Sequence, residues 1–299
     1  MLLSVCIATF RRPELLAKLL TSLAEQKFEN EFELEIIIVD NDEQESAREI
    51  INSVGSRLDL RWKYYSQPVK NISLTRNIAV SNANGEYILF IDDDEIASPE
   101  WIKNIYTALL KYRADAVFGR VVSYFDDGTP DWIRNCFIYN RPSPPTGTSA
   151  VSTRTGNVIV KSSLLKSIPG PFDPEYGITG GSDTKLFSVL KKKGAKYINC
   201  REAVTYEYVP GERAKLKWLV IRAFRTGNNF VRRQIESKEK LTLFIKIKYT
   251  LIGFTYSIAS LFLSLIFVFN KTKRANWFLK FFANLGKLTA NFGYYPKEY

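Results

Sequence analysis

The stretch Tyr87-Ile88-Leu89-Phe90-Ile91-Asp92-Asp93-Asp94-Glu95 decides the fold. Five consecutive apolar residues suit a strand buried on both faces, and the run stops abruptly in four acids. Such a strand lies inside a sheet covered by helices on each side, and its last residues emerge where sheets of this kind bind ligands. Towards the N-terminus, residues 72–83 have helical spacing and close near Gly85, 60–65 read as a short strand and 43–54 as a polar helix. Residues 34–40 form another apolar run that also ends in an acid, Asp40. Before it, Leu15, Leu16, Leu19, Leu20 and Leu23 recur at helical spacing after Pro13, and 2–9 are apolar and β-branched. Beyond the acids, Ser98-Pro99 reads as a cap and first-turn proline for a helix over 99–112. Strand and helix alternate throughout, so the fold class is α/β, a doubly wound and mostly parallel sheet.

After a strand over 114–124 the texture changes, because seven of the twelve prolines fall between Pro130 and Pro174. A strand at 156–160 and a helix at 184–193 stand in this loop-rich half, and loops mounted on a rigid sheet usually supply specificity. These shifts divide the chain into 1–125, 126–235 and 236–299.

Composition removes whole classes of chemistry. The 299 residues include no histidine, which excludes a Ser-His-Asp triad, a Cys-His dyad and any imidazole base or ligand. Cys6, Cys136 and Cys200 are too scattered for a disulfide framework or a zinc site and fit a reducing cytosol. The opening MLLSVCIATFRRP has no basic leader and reads as a buried strand rather than a signal peptide. No G-x-G-x-x-G follows the first strand, which disfavours a dinucleotide-dependent oxidoreductase, and ATFRRPE stands where a nucleotidyltransferase would carry a glycine-rich phosphate loop.

Asp92 to Glu95 would repel one another unless a cation neutralised them. Alternate residues of an extended segment can aim at one hard cation, and Mg²⁺ takes only one or two protein carboxylates. A solvated acidic turn is the plainer alternative; the position at the end of a buried strand favours a divalent-metal diphosphate site. The lack of a glycine at the required position argues against a calcium EF-loop.

Four segments, SVCIATFRRPELL, EIIIVDN, SLTRNIAVSNANGEYILFIDDDE and GGSDTKLFSVLKKKG, together resemble the family 2 glycosyltransferases of GT-A fold, in consistent order over about residues 1 to 235. The resemblance implies an enzyme of hexosyltransferase type that uses a nucleotide sugar and Mg²⁺ or Mn²⁺. It implies that 1–125 is the nucleotide-sugar half and 126–235 the acceptor and catalytic-base half. Thr9 and Phe10 would line the nucleotide pocket, Asp40 would hydrogen-bond the base, most often uracil, and Arg76 would lie against the nucleotide. Asp92 and Asp93 would contact ribose and diphosphate, and Asp94 would be the metal ligand. In Gly180-Gly181-Ser182-Asp183 a serine replaces the first acid of the family's pair, leaving Asp183 as the catalytic base; otherwise Asp183 reads as the cap of a helix from Thr184. A carboxylate base suits a chain without histidine, and a single in-line displacement inverts configuration. Gly170, Phe172 and Asp173 resemble the loop before that base. The Q-x-x-R-W motif of processive synthases is absent, which indicates single additions.

Residues 201–299 carry 18 basic and 6 acidic residues, a net +12 in a chain whose total is +11, so an anionic partner is expected there. Arg222, Arg225, Arg232 and Arg233 recur at about helical spacing, in a stretch that resembles bacterial exopolysaccharide transferases of the succinoglycan type. They suit either a diphosphate, of the donor or of a lipid-linked glycan acceptor, or lipid headgroups. Residues 249–269 hold no charge over a length that can span a membrane, and Trp277, Phe278, Phe281, Phe282, Leu285 and Leu288 then make an apolar stripe with Lys273, Lys280, Asn284 and Lys287 elsewhere. Basic residues flank the run on both sides, among them Lys238, Lys240, Lys246, Lys248, Lys271, Lys273 and Arg274, so both flanks read as cytoplasmic and topology stays open between a single span and a monotopic or re-entrant seat. The monotopic seat on the cytoplasmic face of the inner membrane is favoured, with an anionic membrane surface as partner rather than nucleic acid. The alternative to an enzyme is a membrane-associated nucleotide-sugar-binding protein without turnover, to which only Ser182 points.

Overall fold

The computed structural model describes residues 1–27, 32–55, 61–151, 153–236 and 242–297. The elements run β1 Leu2–Thr9, α1 Pro13–Ala24, β2 Glu33–Asp40, α2 Arg48–Gly55, β3 Trp62–Ser66, α3 Ile72–Asn82, β4 Tyr87–Ile91, β5 Glu95–Ala97, α4 Trp101–Lys111, β6 Ala116–Phe125, α5 Asp131–Arg134, β7 Asn157–Lys161, α6 Ser162–Lys166, α7 Ser182–Lys192, β8 Tyr197–Val209, α8 Leu216–Glu236, α9 Thr242–Ile266 and α10 Lys271–Ala290. They divide into two compact units, Met1–Val122 with Pro142–Glu207, and Ser123–Arg141 with Tyr208–Tyr299.

The strands are ordered β3-β2-β1-β4-β7-β6-β8-β5. β3, β2, β1 and β4 are parallel, and β7 runs antiparallel to both β4 and β6. The unbroken apolar runs follow from two-sided burial. Leu3, Val5, Ile7, Ile36, Ile38, Leu89 and Ile91 face α1 and α4, whereas Cys6, Ile37, Val39, Ile88 and Phe90 face α3 and the loop carrying Phe172. Each such side chain contributes roughly 1.5–3 kcal/mol on burial, so a one-residue slip of register would be very costly.

Four expectations shift. The helix expected over 43–54 begins only at Arg48, because the Asp40 carboxylate accepts from the amides of Asp42 and Ala47 and holds the intervening chain in a turn. The helix after Ser98 begins at Trp101 without a side-chain cap. A strand not anticipated, β5, starts at Glu95 and pairs antiparallel with β8. α7 begins at Ser182, so Asp183 lies in its first turn and Gly181 takes the cap position. Leu60, Lys238 and Lys240 lie outside the described residues.

In the second unit α10 packs along both α8 and α9, while Ile133, Cys136, Tyr139, Leu219 and Leu279 close a small core. A Cβ at Gly227 would collide with the Ala283 carbonyl oxygen, and one at Gly286 with that of Phe224, so the two glycines set the closeness of α8 and α10.

Candidate active site

The C-terminal ends of β1 and β4 lie side by side, which brings Thr9 and Phe10 to the acids. Thr9 donates its hydroxyl to Asp93 at 2.9 Å, and the Phe10 amide donates to the same oxygen at 3.4 Å. Arg11 then takes a left-handed φ of 53°, a turn held by its guanidinium on Asp42 at 3.1 Å. That turn directs Arg12 to the acids, where one nitrogen stands 2.9 Å from Asp93 and 2.9 Å from Asp94. Arg12 is also the N-cap residue of α1, where its side chain makes no capping bond. Arg76, from α3, donates to Asp92 at 3.1 Å. The Phe10 ring carries the cations of Arg11 and Lys70 at 5.2 and 4.8 Å from its centre.

Asp93, Asp94 and Glu95 are buried. Burial raises the pKa of Asp93, against the pull of Arg12 and the hydrogen bond from Thr9. Glu95 is raised well above the ordinary carboxylate value by burial and then by the charges of Asp92 and Glu207, which holds it towards its protonated form. Its Oε2 is buried without a hydrogen-bond partner among the described residues. The chain passes very close by: a Cβ at Gly156 would lie 2.5 Å from Glu95 Oε1 and 3.0 Å from Asp92 Oδ2. Next to it, Asn157 accepts from the indole of Trp101 at 2.8 Å and donates to the carbonyls of Arg120 and Ala203, fixing β7 in place. A small pocket is lined by Arg76 and Asp92 with Cys6, Ala8, Phe90 and Thr155.

Asp40 is fully buried and accepts from the Asp42 and Ala47 amides and from the Tyr64 hydroxyl at 3.0, 2.9 and 3.1 Å. In the structure these bonds tie Asp40 to the 41–47 loop and to β3. Asn41 extends that loop's hold, donating to the carbonyls of Gln67 and Val69 and accepting from the Asn71 amide.

The segment before Asp183 is clasped to α3. Asn77 and Phe172 exchange two hydrogen bonds of 2.8 Å, Asn71 donates to the Pro174 carbonyl at 2.9 Å, and Arg76 lies 5.8 Å from the centre of the Phe172 ring. Gly180 and Gly181 have φ of 80° and 97°, two successive left-handed residues that only glycine adopts without strain. They turn the chain into α7, where Asp183 is half-buried and accepts from the Thr184 amide at 2.6 Å. Arg222 and Arg225 belong to the second unit, on α8, with Arg225 buried and Arg222 5.9 Å from the centre of the Trp218 ring.

Reading the sequence missed Arg12, although ATFRRPE was one of the informative segments. An arginine before a helical proline carries no pattern that separates it from a surface residue. The contact itself answers whether these acids fit a metal ion. One cation is already shared by two buried carboxylates, and hard oxygen donors are what Mg²⁺ or Mn²⁺ takes. Among the described residues no group of three or more metal-binding side chains is gathered.

The model of the family "Glycosyl transferase family 2" matches residues 4–166. The succinoglycan biosynthesis protein ExoM of Rhizobium meliloti is 30% identical over 226 residues, 75% of this chain and 72% of that protein. Among solved structures, the mannosyltransferase PcManGT of Pyrobaculum calidifontis, in complex with GDP-Man and Mn²⁺, superposes with a TM-score of 0.66 at 16% identity, covering 97% of this chain and 86% of that one. S. aureus TarS 1-349 in complex with UDP gives 0.54 at 17% identity over 94% of this chain and 90% of that one. These likenesses bear out the α/β fold of GT-A type with C-terminal helices. A family model that covers more than half the chain, and a relative 30% identical over three quarters of it, make the chain a member of glycosyl transferase family 2, a glycosyltransferase.

Proposed function

We propose that the chain transfers a sugar, with inversion, from a UDP-sugar to a hydroxyl of a lipid-linked glycan precursor in bacterial surface polysaccharide synthesis. The observation that carries this reading is the convergence of Thr9, Arg12 and Arg76 on Asp92–Asp94 at the strand ends of a family 2 fold. The UDP complex of TarS supports a uridine donor, and the succinoglycan protein supports a polysaccharide product. In this reading 1–125 bind the donor, 126–235 hold the acceptor and the base, and 236–299 associate with the cytoplasmic face of the inner membrane.

The geometry supports the following roles. Thr9 and the Phe10 amide fix Asp93 beside the donor, and the Phe10 ring with its two cations forms a wall for the nucleotide. Arg76 sets the rotamer of Asp92. Asp94, with Asp93 beside it, would hold Mg²⁺ or Mn²⁺, which supplies charge stabilisation for the departing diphosphate when bound. Arg12, once released from the carboxylates, is placed to meet phosphate oxygens, since guanidinium suits bidentate contact. Asp183 takes the acceptor hydroxyl's proton as that oxygen attacks the anomeric carbon, and one displacement inverts it.

Release of UDP from a panel of UDP-sugars, with membrane lipid extract as acceptor and with or without Mn²⁺, tests the reading. Donor binding without UDP release under every condition would instead support the binding protein without turnover.

A further inference from the structure

A helix packed on one side and wet on the other turns its apolar residues inward. α9 does the reverse. Gly253, Ser257, Ser260 and Ser264 are buried, while Leu251, Phe254, Ile258, Phe262 and Leu265 are exposed. α10 receives the small residues. Asn291 donates to the Thr250 hydroxyl at 2.8 Å, Leu288 lies against Gly253, and Asn284 reaches Ser260 at 3.4 Å. These pairs descend one helix as they climb the other, so α9 and α10 are an antiparallel hairpin whose corner lies at 267–270. Small residues inside and large apolar ones outside is the pattern of a helix whose solvent is hydrocarbon.

The hairpin also decides how far the helix enters. By length and hydropathy Leu243–Ile266 could cross a bilayer. A crossing along the α9 axis would carry α10 with it, placing the exposed Lys280, midway along α10, near the bilayer centre. It would also draw in α8, which packs along α10 and bears Arg222, Arg225, Arg232 and Arg233. The outer face of α9 is predominantly apolar, with Thr250, Thr255 and Tyr256 as its polar members, and the hydroxyls of both threonines are turned back onto helix carbonyls. Exposed cations border it at both ends, Lys248 at one and Lys271, Lys273 and Arg274 at the other, a match for anionic headgroups.

We infer that α9 lies in the plane of an anionic phospholipid surface with its outer face among the acyl chains, and that the 267–270 corner stays on the side where it began. This deepens the membrane part of the proposed function and does not depend on the transferase chemistry.

Flotation of the full chain with vesicles of phosphatidylcholine, with and without phosphatidylglycerol, tests the surface. The expected result is flotation that is at least tenfold stronger with phosphatidylglycerol, weakens with salt, and is lost in Phe254→Gln/Phe262→Gln. These exposed substitutions should leave the melting temperature and UDP release in detergent unchanged. A double variant that floats like the parent overturns the inference, as does a parent chain that stays with neither vesicle. A parent dimer that the variant disperses, without flotation of either, would assign the face to a second copy instead. Depth is read from Val268→Cys, since the native thiols Cys6, Cys136 and Cys200 are buried. An impermeant maleimide should label it in inverted membrane vesicles and not in right-side-out ones; labelling from outside means a crossing and overturns the in-plane seat. UDP release in detergent is scored separately, so loss of the enzymatic reading leaves this result standing.

Discussion

Arg12→Gln should make the stability of the first unit depend on a divalent cation. In the parent, one guanidinium nitrogen neutralises Asp93 and Asp94 at 2.9 Å each, and both carboxylates are less than a tenth exposed. A hydrogen bond to a charged group nets about 1.5–3 kcal/mol, and removing the donor takes the shared cation away from two buried acids. About 3 kcal/mol is therefore expected. At about 2–4 °C per kcal/mol, the variant should melt about 6–12 °C below the parent in chelator. A cation at about a hundred times its dissociation constant returns about 2.7 kcal/mol. Mn²⁺ should thus restore most of the variant's loss and stabilise the parent less, because there the ion must displace the guanidinium. Thermal melts of both proteins in chelator, Mg²⁺ and Mn²⁺ measure this directly. Equal melting in chelator, or equal Mn²⁺ gains in the two proteins, would refute the reasoning.

Asp183→Asn should lower kcat by about 10²–10⁴-fold, the usual worth of a general base, with UDP affinity by calorimetry unchanged; full activity would remove Asp183 from the mechanism. Glu35 is buried on β2, accepting from the Ser4 hydroxyl, the Asn84 amide and Lys63 at 2.6, 2.6 and 2.9 Å. Burial alone would raise its pKa, yet these bonds outweigh burial and hold it at about 2 instead of 4.5. A depressed carboxyl stabilises the fold above its unfolded pKa, so about 3 kcal/mol is present at neutral pH and is lost as pH falls from about 4.5 towards 2. In urea, the stability gap between the parent and Glu35→Gln should be large at neutral pH and shrink below about pH 4; a gap independent of pH would refute it.

The parallel core was legible because burial on both faces leaves a one-dimensional mark: β1, β2 and β4 are apolar through their central positions, and each ends at the site. What escaped depends on partners distant in sequence. β5 is three residues long and exists only through β8, which lies more than a hundred residues on. The late start of α2 follows from a carboxylate that captures two amides, an interaction no periodicity announces. α7 starts two residues early because Gly180 and Gly181 are both left-handed, a pairing suggested by Gly-Gly yet unreadable without the turn they make. The acids at 92–94 were found through their placement, whereas Arg12, their neutralising partner, reads locally like any surface arginine.

The bonds of Asp40 and Asn41 have a consequence for motion. Their side chains pin the amides of Asp42, Ala47 and Asn71 and the carbonyls of Gln67 and Val69, so two loop segments at the sheet end, 41–47 and 67–71, are tied to one buried dipeptide. Neither can open without breaking hydrogen bonds to buried side chains. The Asp42, Ala47 and Asn71 amides should therefore exchange with deuterium in the slow class of the core strands, through global unfolding rather than local fraying. A ligand arriving there meets a wall already in place, and its binding entropy carries little cost for ordering that part of the chain.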